Sequence, residues 1–484
     1  MVKYLITTVT CFILGILSIK LSEYILQFFN TASFDSIIYH LLSPFRGTDT
    51  TPIYDFLNSN YMPCFIVLAV AVPVFVLMSM LKAPKLVYRL IGAASLLFFV
   101  GALAYSLNEV RFFDYIRNKG LQSEFIKNNY HDSRKTVIKE PARKKNLLVI
   151  YVESLEASFA SEEKGGLFKD NYIPFLTKLA QEHVCFSHSE QIGGAMAVTG
   201  TGWTTAGLVT TMAGVNIQTP FKTELINDKN PFTYAHLATL PDLLDKYGYK
   251  EYFLMGADSE FGGIKEFLNS HGSFTIYDLP ALVQEAGQKG ETVEASGWGL
   301  DDKTIFDRAK ADLERLGRED APFYYNIMTI DTHAPTGKTT SDCKCSYEDS
   351  YTNAIACLDF HIEQFYNWLS QQPFFENTVL VIMGDHLTMN HAFFEGTTKA
   401  RSIYNVFVNT KPAANMKNRA FCQMDLYPTI LSGLGFEIEN HRLALGTDLF
   451  SEEKTLCEEH GLGKVDEEFS KYSKFYDQHI LNGE

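Results

Sequence analysis

The chain has 484 residues, 46% of them hydrophobic, and a formal net charge of −15. That length allows more than one domain and a full-sized core, while the acidic balance excludes nucleic acid as a partner, because counterion release needs a basic surface. Eight cysteines are too sparse for a disulfide scaffold.

Residues 1–107 read as a membrane region with about three transmembrane helices. Tyr4 to Ile19 is almost wholly apolar; it is short for a span, but Lys20 can snorkel to the interface. No small-x-small cleavage pattern follows it, so an uncleaved helix is expected rather than a signal peptide. Tyr61 to Leu81 and Leu86 to Leu107 supply the other two spans. Lys82, Lys85 and Arg89 crowd the short turn between them, whereas the loop from Asn30 to Asn60 carries only Arg46. This asymmetry places the turn in the cytoplasm and everything after Asn108 on the far side. Residues 108–145, with Arg111, Phe112, Phe113, Tyr115 and Ile116, read as a juxtamembrane linker or an interfacial helix.

From Asn146 onward short β-rich runs alternate with helical patterns, the signature of an α/β domain with a mostly parallel sheet flanked by helices. Strands are predicted at Asn146 to Val152, Tyr249 to Leu254, Phe323 to Ile330, Thr378 to Met383 and Ile403 to Val408. Helices are predicted at Ile173 to Glu182, Thr239 to Tyr247, Thr304 to Arg315, Tyr351 to Leu369 and Asp425 to Leu434. The domain is expected to span 146–450, with 451–484 as a charged peripheral tail. Cys343, Cys345 and Cys357 allow one bridge, or a Cys-Lys-Cys metal site as the competing reading.

The strands end in chemically useful residues. The first runs into Glu153, the second into Gly256-Ala257-Asp258, the third into Asp331-Thr332-His333 and the fourth into Gly384-Asp385-His386. Ligands of open α/β sheets bind outside the carboxyl ends of the strands, so these side chains should converge. Glu153, Asp385 and His386 form a donor set suited to one divalent metal, Zn or Mn with Mg also admissible. The loop from Gly200 to Gly207 holds crowded hydroxyls ahead of an apolar helix, a seat for an anion and a nucleophile. Thr204 is the hydroxyl expected at the metal's remaining position.

Four segments in order carry a resemblance: Val149 to Glu156, Gly202-Trp203-Thr204, Thr329 to Pro335, and Met383-Gly384-Asp385-His386. They resemble the phosphoglycerol transferases of the lipoteichoic acid synthase family, membrane enzymes with an alkaline-phosphatase or sulfatase-like domain. Phe34 to Leu41 also fits the branch that decorates periplasmic glucans. The resemblance implies Glu153, Thr204, Asp385 and His386 as metal ligands, Thr204 as nucleophile, and His333 as a contact of the transferred phosphate. It implies phosphatidylglycerol as donor, a cell-envelope glycan as acceptor, and a bacterial inner membrane location with the catalytic domain periplasmic. Trp298 and Asp258 are candidates for the glycerol hydroxyls. Where the teichoic acid branch has a tryptophan and an arginine, this chain offers Lys265, a point charge without bidentate geometry; phosphoethanolamine transfer therefore stays open beside phosphoglycerol transfer. A metal-dependent phosphodiesterase and a non-enzymatic sensory or structural ectodomain are the remaining alternatives. Sulfate-ester hydrolysis is excluded, because Thr204-Thr205-Ala206-Gly207-Leu208 lacks the Cys/Ser-x-Pro-x-Arg context that makes formylglycine. A two-zinc phosphomonoesterase is disfavoured, because Asp331 to Pro335 lacks an Asp-x-x-x-His ligand pair.

Overall fold

A computed structural model describes residues 2–29, 34–43, 51–220, 231–295, 297–397 and 399–483, which divide between two compact units. The first comprises Met1–Phe34 and Thr48–Arg117, the second Asp35–Gly47 and Asn118–Glu484. In chain order the first helices are α1 (Val2–Phe29), α2 (Phe34–Leu42), α3 (Thr51–Met80) and α4 (Lys85–Glu109). Of these, α1, α3 and α4 are long and apolar enough to cross a membrane.

The first helix runs well past Ile19, where the apolar stretch ends. Lys20 Nζ lies 2.7 Å from Glu23 Oε2 one turn away, so the two charges offset each other along the helix surface rather than terminating it. Within the same unit α1 lies close to α4 at Gly15, where an added Cβ would stand 2.6 Å from the Phe98 ring. Small residues at such crossings let apolar helices approach closely.

The second unit is built on a six-stranded sheet. Its strands are β1 (Asn146–Val152), β2 (Lys250–Met255), β3 (Thr275–Tyr277), β4 (Phe323–Met328), β5 (Thr378–Gly384) and β6 (Asn405–Val408). They lie in the order β3-β2-β4-β1-β5-β6, all neighbours parallel except β5 and β6. Every residue of β1, β4 and β5 is buried, which is why these strands read as unbroken apolar runs: both faces are covered. Leu147, Val149 and Tyr151 enter one core cluster, and Leu148, Ile150 and Val152 the other, following the two-residue period of a strand. Helix α6 (Thr204–Ala213) fills the first side. Helices α5 (Pro174–Glu182), α7 (Asp302–Leu316) and α8 (Ser350–Leu369) fill the second. Asp301 and Asp349 cap α7 and α8 by accepting the N–H groups of Thr304 and Thr352, the satisfaction that helix N-termini require.

Two features depart from the sequence reading, and a third decides between two readings it held. The edge strand β3 is only three residues long and half exposed, too short to show an alternating pattern. Residues beyond 451 are not peripheral: Val465, Phe469, Tyr476 and Ile480 are all fully buried in the first core cluster, because the apolar positions recur at helical spacing between the charges. Of the two readings of the cysteine cluster, the bridge is the one formed, joining Cys343 to Cys357 and leaving Cys345 free and exposed.

Helix α2 belongs to the second unit from Asp35 onward. Asp35 Oδ1 lies 3.2 Å from Lys119 Nζ, with the two side chains 3% and 1% exposed, and accepts the Thr219 hydroxyl at 2.5 Å. Removing one partner of a buried pair strands the other charge at a cost of about 3–5 kcal/mol, whereas replacing both by apolar groups is close to neutral. Lys119→Met is therefore expected to lower the unfolding midpoint of the full chain in detergent markedly, and the Asp35→Leu/Lys119→Met double variant to recover most of that loss.

Candidate active site

The sheet register sets the site. The last rung of the β1–β5 pair joins Val152 to Gly384, so Glu153 and Asp385 leave the sheet side by side. Ser154, next in line, takes a positive φ of 57°, a backbone state that a non-glycine residue adopts at a cost and that often marks working sites. There its N–H donates to Asp385 Oδ1 at 2.8 Å, and its hydroxyl donates to Glu153 Oε1 at 2.7 Å. The β4 end adds two braces: the Glu153 N–H donates to Thr329 Oγ1 at 3.0 Å, and Thr332 Oγ1 donates to the Glu153 carbonyl at 2.5 Å.

Thr204 is the first residue of α6, with Trp203 in the extended capping position and no side chain capping the helix. Its hydroxyl donates to Glu153 Oε2 at 3.4 Å. The start of a ten-residue helix turns unpaired N–H groups and the positive end of its dipole toward whatever lies beside Thr204, which suits a phosphate oxygen. Gly207 lets α6 come this close: a Cβ there would sit 2.1 Å from the Asp385 carbonyl oxygen.

Glu153, Asp385 and His386 each offer a donor atom, and these atoms lie within 4.8 Å of one another. His386 Nε2 is 3.5 Å from Glu153 Oε1 and 3.4 Å from Asp385 Oδ2. Its Nδ1 donates to the Leu387 carbonyl at 2.8 Å, which orients the ring so that Nε2 is the nitrogen turned toward the carboxylates. Burial and then the Glu153 charge push the Asp385 carboxyl up to about 7. Burial works against charge on His386, but the Asp385 and Glu153 carboxylates outweigh it and raise that imidazole above its usual range. Asp385 Oδ1 accepts two backbone N–H groups, yet Asp385 Oδ2 is buried with no hydrogen-bond partner among the described residues. Two carboxylates and an imidazole packed together without a cation would be costly in a dry core. A divalent metal fits this donor set, and the orphaned Asp385 Oδ2 is the observation that supports it.

His333 lies in the loop after β4, its ring 4.4 Å from that of Trp298. That loop is tied to the start of α7 by Asp302, which accepts the Ile330 N–H at 2.7 Å, and by Asp331, which accepts the Asp302 N–H at 2.9 Å. Asp258 and Lys265 serve their own loop instead. Asp258 Oδ1 accepts the Glu260 N–H at 3.0 Å, and Lys265 Nζ lies 3.5 Å from Glu260 Oε1; among the described residues neither hydrogen-bonds nor ion-pairs with Glu153, Asp385 or His386.

Several supports escaped the sequence reading. Gln423 Nε2 donates to the Asp385 carbonyl at 2.5 Å. Arg401 and Glu156 form a mostly buried ion pair that holds both backbone groups of Thr388, two residues past His386: Glu156 accepts its N–H at 2.9 Å, and Arg401 donates to its carbonyl at 2.7 Å. Glu156 closed the first segment of the resemblance with no role attached to it; Arg401 and Gln423 left no trace.

Comparison with known proteins agrees with the segment that carries these residues. The Sulfatase family model matches residues 145–436. Phosphoglycerol transferase I of Escherichia fergusonii is 31% identical over 314 residues, 63% of this chain and 39% of that protein. Phosphoglycerol transferase I of Escherichia coli is 30% identical over 317 residues, with the same 63% and 39% coverage. The match thus spans 39% of the length of these curated relatives. Among solved structures, lipoteichoic acid synthase LtaP from Listeria monocytogenes aligns at 18% identity with a TM-score of 0.48, over 68% of this chain and 82% of that one.

The donor set is tested by metal content. The purified chain is expected to retain one divalent ion after dialysis. Gln423→Ala should weaken retention about 10- to 100-fold, as loss of an outer hydrogen-bond partner does, and Asp385→Asn by more, both read by elemental analysis against free-metal buffers.

Proposed function

Since the chain belongs to the sulfatase family, we propose that it is a membrane-anchored phosphoglycerol transferase that moves glycerol phosphate from phosphatidylglycerol to a cell-envelope glycan through Thr204. The observation that carries this reading is the Thr204 hydroxyl at the head of α6, 3.4 Å from Glu153, whose carboxylate clusters with the buried Asp385 and His386. The relatives named phosphoglycerol transferase I support the substrate class. The formylglycine that sulfate-ester chemistry requires has no precursor at Thr204-Thr205-Ala206-Gly207-Leu208.

In the first step Thr204 Oγ1 attacks phosphorus, the bond to the diacylglycerol oxygen breaks, and diacylglycerol leaves as an alcohol. In the second a sugar hydroxyl attacks the same phosphorus and releases Thr204. Glu153, Asp385 and His386 would hold one divalent ion, Zn or Mn, whose chemistry is to acidify a neighbouring hydroxyl and offset charge on phosphoryl oxygens. The N–H groups at the start of α6 would stabilise the same developing charge, and His333 with Trp298 would hold the transferred group, a reading supported by the 4.4 Å contact of their rings. Lys82 between α3 and α4, with Lys85 and Arg89 in the first turns of α4, favours an inner-membrane protein with this domain on the extracytoplasmic side.

Incubating the purified full chain with phosphatidylglycerol vesicles and divalent metal should release diacylglycerol and add the mass of a phosphoglyceryl group to the Thr204 peptide. Thr204→Ala should abolish both, a loss of at least ~10³-fold for a covalent nucleophile. Free glycerophosphate with neither protein adduct nor glycan product would mark hydrolysis instead.

A further inference from the structure

The Thr204 site has a wall that comes from outside the segment matched by the family model. His40 of α2 packs its ring against Trp203, with centroids 5.9 Å apart at 60°, and against Phe261 at 6.5 Å. Phe261 in turn meets Trp298 at 5.5 Å, and Trp298 meets His333 at 4.4 Å. The result is an unbroken run of five rings, His333–Trp298–Phe261–His40–Trp203, that starts in the loop after β4 and ends on the residue bonded to Thr204.

The run is held in place by a shared acceptor. The Gly262 carbonyl takes the Tyr39 hydroxyl at 2.6 Å and the Thr205 hydroxyl at 3.0 Å, tying α2, the Phe261 turn and the nucleophile helix to one atom. Gly262 has φ 62°, and a Cβ there would meet Thr205 Oγ1 at 2.8 Å, so the junction depends on glycine. Tyr39 is 1% exposed, its ring against Trp203 and Phe232. His40, Phe261, Trp298 and His333 are only half-buried. Tyr39 is therefore the anchor, while the four rings beyond it keep surface for a ligand. Trp203 Nε1 is buried and has no acceptor among the described residues, an unmade bond that destabilises the site until something accepts from it.

Aromatic faces with a few polar atoms at their edges are the surface on which a polyol is held, its C–H face on the rings and its hydroxyls at the rim. We propose that α2 completes a polyol-binding wall over Thr204, with His40 and Phe261 as specificity-determining contacts for a glycerol or sugar group. The proposal rests on the transferase reading above and deepens it, because two groups of this chemistry reach Thr204 in turn: the glycerol of the donor and the sugar of the acceptor.

The test uses the full chain with phosphatidylglycerol vesicles and a soluble oligosaccharide acceptor, comparing His40→Ala and Phe261→Ala with the ring-preserving His40→Phe and Phe261→Tyr. Metal content and unfolding midpoint of every variant serve as the check on folding. The alanine variants should raise the half-saturating concentration of one partner by about 10-fold or more, and the ring-preserving variants should stay within about threefold of wild type. A rise in the phosphatidylglycerol concentration needed to load Thr204 assigns the wall to the donor; a rise in the oligosaccharide concentration needed to unload it assigns the wall to the acceptor. Folded, metal-replete alanine variants with both values unchanged overturn the proposal, as does a loss that merely follows metal content. A wild-type chain that never acquires the Thr204 adduct defeats the transferase reading itself, an outcome distinct from either.

Discussion

The site depends on one constraint, the forced proximity of three groups that would each prefer water. Glu153, Asp385 and His386 are 3%, 0% and 2% exposed, and nothing in their own chemistry would bring two carboxylates together in a dry core. The backbone imposes it. The β1–β5 register sends Glu153 and Asp385 out of the sheet at the same level, and hydrogen bonds from Ser154, Thr332 and Gln423 hold the loops there. The sheet itself is stable because both of its faces are covered by apolar side chains, so burial elsewhere sustains a local arrangement that is unfavourable without a cation.

Much of this architecture was legible in the chain. Buried parallel strands announce themselves as short apolar runs, and the residues that follow them sit where an open α/β sheet presents ligands; Glu153, Asp385 and His386 were expected to converge on that ground, and their donor atoms lie within 4.8 Å of one another. Thr204 was found because glycines and hydroxyls ahead of an apolar run describe a helix start. The family resemblance then added roles that spacing alone does not contain.

What stayed hidden was set by contacts between distant parts of the chain. Tyr39 and Gly262 are 223 residues apart and share a hydrogen bond, and no local pattern foretells it. Gly207 looked like one more small residue, and only its distance to the Asp385 carbonyl explains why no larger one fits. Asp258 and Lys265 had the right chemistry near the right strand, but a turn and an ion pair with Glu260 engage them locally. The charged tail concealed Val465, Phe469 and Tyr476 because composition averages over short helical segments whose two faces differ.

Helix α2 alters what counts as a domain here. The second unit is discontinuous in sequence: Asp35–Gly47 belongs to it, although α3 and α4 intervene before the chain returns at Asn118. A soluble fragment cut just after α4 would look natural from the order of elements, yet it would discard Tyr39 and His40. Such a fragment would bare the rings of Trp203 and Phe232 and leave the Gly262 carbonyl without its tyrosine partner. Excising the second unit from its apolar helices by such a cut would therefore remove part of that unit itself, and measurements on the excised piece would describe a different protein surface.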